Sequence, residues 1–153
     1  MPVRLATLDD ADELIRLATI MFEAVGIATN DPTWEAAGRD RLRIGTADDT
    51  VRAFVVGDPH VPQRCAAAAV VSLQLRMPTP PNPRGLTAYV QWVATDPEHR
   101  RRGYARALMN AIIEWSSAKG AGSVDLHAST EGDALYRDLG FVTSRNPELR
   151  YFY

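Results

Sequence analysis

The stretch Val93–Arg106, VATDPEHRRRGYAR, decides how this chain folds. An apolar strand ends there at Asp96-Pro97, because proline removes a ladder donor, and a helix begins just past an arginine triplet. A helix N-terminus carries a partial positive charge and several unpaired N–H groups. Arg100, Arg101 and Arg102 at that end are each unfavourable by about 0.3–1 kcal/mol through the helix dipole. An anion seated on the helix end removes the conflict. A phosphate fits, because N–H groups, dipole and guanidinium groups then point at one ligand. Gly103 lets the backbone approach closely, and the small Ala105 leaves room in the next turn.

Working outward, the helix runs from about Gly103 to Lys119, with Ala105, Leu108, Met109, Ile112 and Ile113 as its buried stripe. Ser123–Ser129 alternates, with Val124, Leu126 and Ala128 on one side and Asp125, His127 and Ser129 on the other. A short helix, Gly132–Leu139, stops at Gly140, and Phe141–Thr143 and Leu149–Tyr153 read as two last strands. On the N-terminal side of the decisive stretch, Leu86–Thr95 and Cys65–Met77 read as strands, the second apolar on both faces in its first half and therefore buried. Between them four prolines in Pro78–Pro83 make a stiff loop. Val51–Val56 is a further strand. The chain opens with a strand at Pro2–Ala6, a helix capped by Asp9 and ended by Gly26, and a weakly patterned helix at Thr33–Ile44. The expected fold is therefore α/β (α+β): a mixed, mostly antiparallel sheet of about seven strands flanked by about four helices.

The 153 residues are 46% hydrophobic and 24% charged, which suits one globular domain over residues 1–153 and excludes a disordered or fibrous chain. The longest apolar run, Cys65–Val71, is far below the roughly 20 residues of a membrane helix, so no membrane association is expected. The opening MPVRLATLDD lacks the charged-then-apolar order of a signal peptide, so a cytoplasmic location is expected. A net charge of −2 argues against nucleic acid as a partner. The lone Cys65 and three scattered histidines predict neither disulfide nor metal site.

Arg100-Arg101-Arg102-Gly103-Tyr104-Ala105 resembles the Arg/Gln-x-x-Gly-x-Gly/Ala loop of the GNAT N-acetyltransferase superfamily. Val93–Glu98 looks like the strand end before that loop, and Leu135-Tyr136-Arg137-Asp138-Leu139-Gly140-Phe141 looks like the family's Leu-Tyr-x-x-x-Gly-Phe segment. The likeness covers about Leu86–Val142; the N-terminal third matches only in element order.

That resemblance implies acetyl-CoA as donor and a primary amine as acceptor, with direct transfer between them. It implies that Arg100, Arg101, Arg102, Gly103, Tyr104, Ala105 and Arg106 hold the pyrophosphate. It implies that the backbone of Val93, Ala94 and Thr95 pairs with the pantetheine arm, with a bulge there splaying the sheet. One backbone N–H near Val93 then polarises the thioester carbonyl, and Tyr136 protonates the leaving thiolate. Two positions depart from the family pattern. Ser129 stands where many relatives carry Asn, and Gln91 where some carry a Glu base.

His127 is then a candidate base, since it shares strand parity with Ser129 and imidazole titrates near neutrality. His99 reads as a solvated or phosphate-contacting residue and His60 as a surface one. Trp34, Tyr89 and Gln91 are candidate acceptor contacts, with Met21, Phe22 and Trp92 as further lining. Glu23 and Glu35 are candidates to bind a cationic acceptor. Antibiotic, polyamine, amino acid and protein N-terminus all fit as acceptor, a small molecule better than a protein. A homodimer fits the family habit. A non-catalytic CoA-binding module on the same fold is the alternative, favoured by Gln91 and opposed by Tyr136.

Overall fold

A computed structural model describes residues 2–153. Its elements are β1 (Val3–Leu5), α1 (Ala11–Ala24), α2 (Thr33–Ala47), β2 (Val51–Gly57), β3 (Cys65–Leu75), β4 (Leu86–Thr95), α3 (Tyr104–Ala118), β5 (Ser123–Asp125) and α4 (Asp133–Asp138). The five strands form one sheet in the order β1-β2-β3-β4-β5. All neighbours are antiparallel except β4 and β5, which run parallel across the α3 crossover.

Helices cover both faces. Strand β3 is buried on both sides, so its side chains alternate between two cores. Cys65, Ala68 and Val70 pack with Leu14, Leu17 and Leu42 of α1 and α2. Ala67, Ala69 and Val71 pack with Leu108, Met109 and Ile112 of α3. The run of alanines is the consequence: small side chains let the helices of both layers sit close to the central strand.

Three sequence expectations need correction. The sheet has five strands, not about seven. Phe141–Thr143 and Leu149–Tyr153 form no strand, and Leu149, Tyr151, Phe152 and Tyr153 are exposed. A strand needs a hydrogen-bonded neighbour, and among the described residues these segments find none; β5 itself ends at Asp125, leaving Leu126–Ser129 irregular. At the N-terminus Asp10, not Asp9, starts α1. Its carboxylate accepts from the Thr7 backbone N–H at 2.7 Å and closes a capping box around a short 3-10 turn, Leu8–Asp10.

Candidate active site

The site begins with one extra residue in β4. Val71 pairs with Val90 and Val70 with Trp92, which leaves Gln91 as a β-bulge. The bulge lies two residues before the Val93–Thr95 segment where the family resemblance implies it. It inverts side-chain parity. Ala88 and Val90 face the α3 layer before it, whereas Trp92 and Ala94 face α1 and α2 after it.

The parallel pairing with β5 covers only Thr87, Ala88 and Tyr89, so beyond Tyr89 the β5-side edge of β4 stands open. The Asp96 N–H donates to the Ala66 carbonyl at 2.8 Å. The antiparallel alternation then turns the backbone groups of Ala94 and Trp92 toward β3, and those of Val93 and Thr95 toward the open edge. The sheet thus offers unpaired backbone donors and acceptors at Val93 and Thr95.

That edge leads directly to α3. Arg101 and Gly103 both have left-handed backbone, φ 63° and 80°. This conformation favours Gly at the second position and strains Arg at the first. Together they turn the chain so that α3 starts at Tyr104, with no side-chain cap and no acidic residue in its first turn. The first intrahelical bond runs from the Ala107 N–H to the Gly103 carbonyl, at 3.1 Å. The N–H groups of Tyr104, Ala105 and Arg106 are therefore uncapped. Arg100, Arg101 and Arg102 are exposed and carry no ion pair among the described residues, whereas Arg106 is paired with Asp138 of α4.

What fixes this turn is a set of buried charges that the sequence reading did not single out. Asp96 accepts from Arg16 of α1 at 2.8 Å, from Arg64 at 3.0 Å and from the Glu98 N–H at 3.1 Å. These partners outweigh its burial and hold its carboxyl below the ordinary range. Arg16 also binds Glu13 and the Cys65 carbonyl. His99, expected in solvent or on phosphate, is instead buried. Its Nε2 lies 2.9 Å from Asp58. Asp58 in turn accepts from the His60 and Val61 N–H groups. The His60 N–H first, helped by the His99 ring, lowers the Asp58 carboxyl to about 2. His60 itself is exposed, as expected.

On the other flank of the open edge stands α4. Tyr136 is half-buried, packs against the α3-side core and meets Phe141 edge-on at 5.9 Å. Burial raises the phenol above its ordinary pKa, so it stays protonated at neutral pH. A β-carbon on Gly132 would lie 2.9 Å from Tyr136 Cε2, so the glycine is required for the ring to sit there. Ser129 lies beside them: its Oγ accepts from the Gly132 N–H at 3.2 Å and its carbonyl from the Asp133 N–H at 3.0 Å. Ser129 therefore holds the start of α4 and keeps its hydroxyl proton to donate.

Tyr89 and His127 meet at the point where β4 and β5 part. The Tyr89 hydroxyl contacts His127 Nδ1, and His127 Nε2 contacts the Glu148 carboxylate. Sequence reasoning missed Glu148. Gln91 is exposed and donates to Ser72 Oγ at 3.0 Å. Trp34, Phe22 and Trp92 form a mutually edge-on trio with centroids 5.5–6.5 Å apart, and Met21 packs on the adjoining core. Trp34 is thus half-buried against neighbouring rings. Glu23 accepts from Thr29, and Glu35 lies 3.8 Å from Arg39. Cys65 is buried, and burial first, then Asp10 and Glu13, pushes its thiol up to about 11. Among the described residues no group of His, Cys, Asp or Glu is placed to hold a metal ion, and no helix is long and apolar enough to cross a membrane.

The chain that carries this site is similar to known proteins. The family model of the acetyltransferase (GNAT) family matches residues 15–141, and the chain belongs to that family. Its fold is similar to that of a predicted acetyltransferase from Clostridium acetobutylicum, solved with acetyl-CoA. The two are 20% identical, with a TM-score of 0.86, over 97% of this chain and 95% of that one. A GCN5-related N-acetyltransferase from Ralstonia eutropha JMP134 is 25% identical, with a TM-score of 0.80, over 98% and 97% of the two chains. Glucosamine-6-phosphate N-acetyltransferase from Arabidopsis thaliana has the same fold at 17% identity and a TM-score of 0.74, over 99% and 98%. No curated protein matches the sequence.

Proposed function

We propose that the protein is an N-acetyltransferase that moves the acetyl group of acetyl-CoA directly to a primary amine, within a single domain. The observation that carries this reading is the continuity of unpaired backbone from Val93 and Thr95 to the uncapped start of α3. A pantetheine arm is an extended chain of amides and pairs with the first part. A pyrophosphate is a compact anion and suits the second, where Arg100–Arg106 supply N–H groups and guanidinium charge.

In this reading the Val93 N–H donates to the thioester oxygen as it becomes an oxyanion. Ser129 donates to the pantetheine. Tyr136 gives its proton to the thiolate as the carbon–sulfur bond breaks, a role suited to a phenol kept protonated by burial. His127 is where the proton of the acceptor ammonium, which must be lost before nitrogen attacks, comes to rest. Trp34, Tyr89 and Gln91 line the acceptor side. Cys65 takes no part: a buried thiol with its pKa near 11 is not a nucleophile at neutral pH.

The test has two arms. Calorimetry with acetyl-CoA should show binding to the native protein, and at least a tenfold loss in Gly103→Val. Valine adds bulk where the backbone meets phosphate and opposes the left-handed turn. Thiol release with spermidine, L-lysine, an aminoglycoside and an alanyl peptide should identify an acceptor. Undiminished affinity in a folded Gly103→Val protein would move the phosphate site elsewhere. Binding without thiol release from any amine would favour a CoA-binding module.

A further inference from the structure

We propose that Tyr89, His127 and Glu148 form a proton relay in which the Tyr89 hydroxyl, not the imidazole, receives the proton of the acceptor amine. The inference rests on the N-acetyltransferase reading and deepens it. Both ring nitrogens of His127 are engaged, Nδ1 by the Tyr89 hydroxyl and Nε2 by the Glu148 carboxylate. A carboxylate only accepts, so Nε2 carries the hydrogen and Nδ1 keeps its lone pair. Tyr89 must then donate to Nδ1. No nitrogen of the ring is left for the substrate, and the remaining exposed group of the chain is the lone pair on the Tyr89 oxygen.

Position supports the assignment. Tyr89 is the last residue of β4 paired with β5, opposite Asp125; the bulge at Gln91 follows two residues later, and the open-edge Val93 N–H two residues after that. The charged and titratable groups around the relay are few. Tyr89 comes from β4 and Asp125 from β5, while Glu148 and Arg150 come from the C-terminal segment, with Arg150 3.7 Å from Glu148. Burial first, and then the Glu148 charge, raises the Tyr89 phenol, so its proton is present to be passed on.

The step balances. An N–H bond of the acceptor ammonium breaks as its proton bonds to the Tyr89 oxygen. The Tyr89 O–H bond breaks as that proton bonds to His127 Nδ1. The product is a neutral amine, an intact phenol and an imidazolium whose charge Glu148 offsets. Glu148 is a positioning residue: it fixes the tautomer and touches no substrate.

The test uses the full chain and two readouts. Nitrogen-15 shifts of neutral His127 should show the Nε2–H tautomer in the native protein. Tyr89→Phe should lower kcat/KM for the amine about 100-fold at pH 7, near the low end for general acid–base groups. The loss should shrink to under threefold at about pH 10.5, where an alkylamine is half free base and needs no relay. Glu148→Gln should lower kcat about 10-fold at pH 7, with acetyl-CoA affinity within twofold of native. A Tyr89→Phe loss that is the same at every pH would overturn the relay, because a packing defect is not rescued by a deprotonated amine. An Nδ1–H tautomer would overturn it too, while leaving acetyl transfer intact. No thiol release from any amine, with the Nε2–H tautomer present, would instead overturn the acetyltransferase reading and with it the relay's use.

Discussion

The two flanks of the site are built differently. At the Asp96 end of β4, ion pairs to one buried carboxylate tie three segments together: Arg16 from α1, Arg64 just before β3, and the turn itself. At the opposite flank, β5 is three residues long and most of the contacts that continue it are between exposed side chains, among them His127 with Glu148. Charge removed from water is held in one geometry, whereas exposed pairs add little to stability. The Asp96 flank is thus firmly held, and the β5 flank is loosely held. Under the proposed function the first holds the phosphates of the donor and the second meets the acceptor.

The largest expected effect probes rate on the loose flank. Tyr136→Phe keeps the ring on Gly132 and removes the proton donor. Turnover should fall about 10- to 1,000-fold, or ~1.4–4 kcal/mol in the barrier, with cofactor affinity and melting temperature nearly unchanged. Steady-state thiol release and a thermal melt measure both. Full activity would assign thiolate protonation to water.

Stability should respond at the rigid flank. Asp96→Ala leaves Arg16 and Arg64 without their shared partner. The expected loss is about 2–3 kcal/mol, below the roughly 3–5 kcal/mol of a fully buried pair because both arginines reach solvent. Urea denaturation should show it as a lower midpoint at unchanged slope. A loss under about 0.5 kcal/mol would mean that the turn is held by its backbone alone.

A smaller effect separates the flanks by pH. Asp58 is lowered from 3.8 to about 2 in the folded state. A depressed carboxyl contributes stability that is fully present above its unfolded value. That stability is lost as pH falls through the folded one. The native protein should therefore lose stability between about pH 4 and pH 2, and Asp58→Asn should be less stable at pH 6 but converge toward native at pH 2. Parallel stability curves for the two proteins would show that the Asp58 carboxyl is not lowered in the folded state.

The smallest effect lies between the flanks. Cys65→Ala should leave turnover within about threefold, roughly 0.65 kcal/mol. Initial-rate plots should intersect, as in a ternary complex. Parallel lines with an acetylated Cys65 in mass spectra would replace direct transfer by a covalent route.

Much was legible in the chain before any coordinates. The arginine triplet before Gly103 pointed to the start of a helix without acidic residues or a side-chain cap, and the structure has that helix start at Tyr104. The double-sided apolar run of β3 announced a central strand, and Leu135–Phe141 marked the helix that carries Tyr136. These signals are local: a turn, a period, a dipole. The last two strands do not form because alternation at Leu149–Tyr153 reports only that a strand is affordable, and among the described residues no neighbour pairs with it.

Tertiary structure alone decided the rest. Asp96 and Arg16 lie 80 residues apart in sequence. Nothing in either neighbourhood says that they meet. The bulge at Gln91 depends on the register between β3 and β4, a property of two strands and not of one. His127 had the right chemistry on its own, yet its partners Tyr89 and Glu148 come from a different strand and from the C-terminal segment. Residue type sets what a side chain is able to do; which nitrogen holds the proton, and what stands next to it, is fixed only when distant segments pack together.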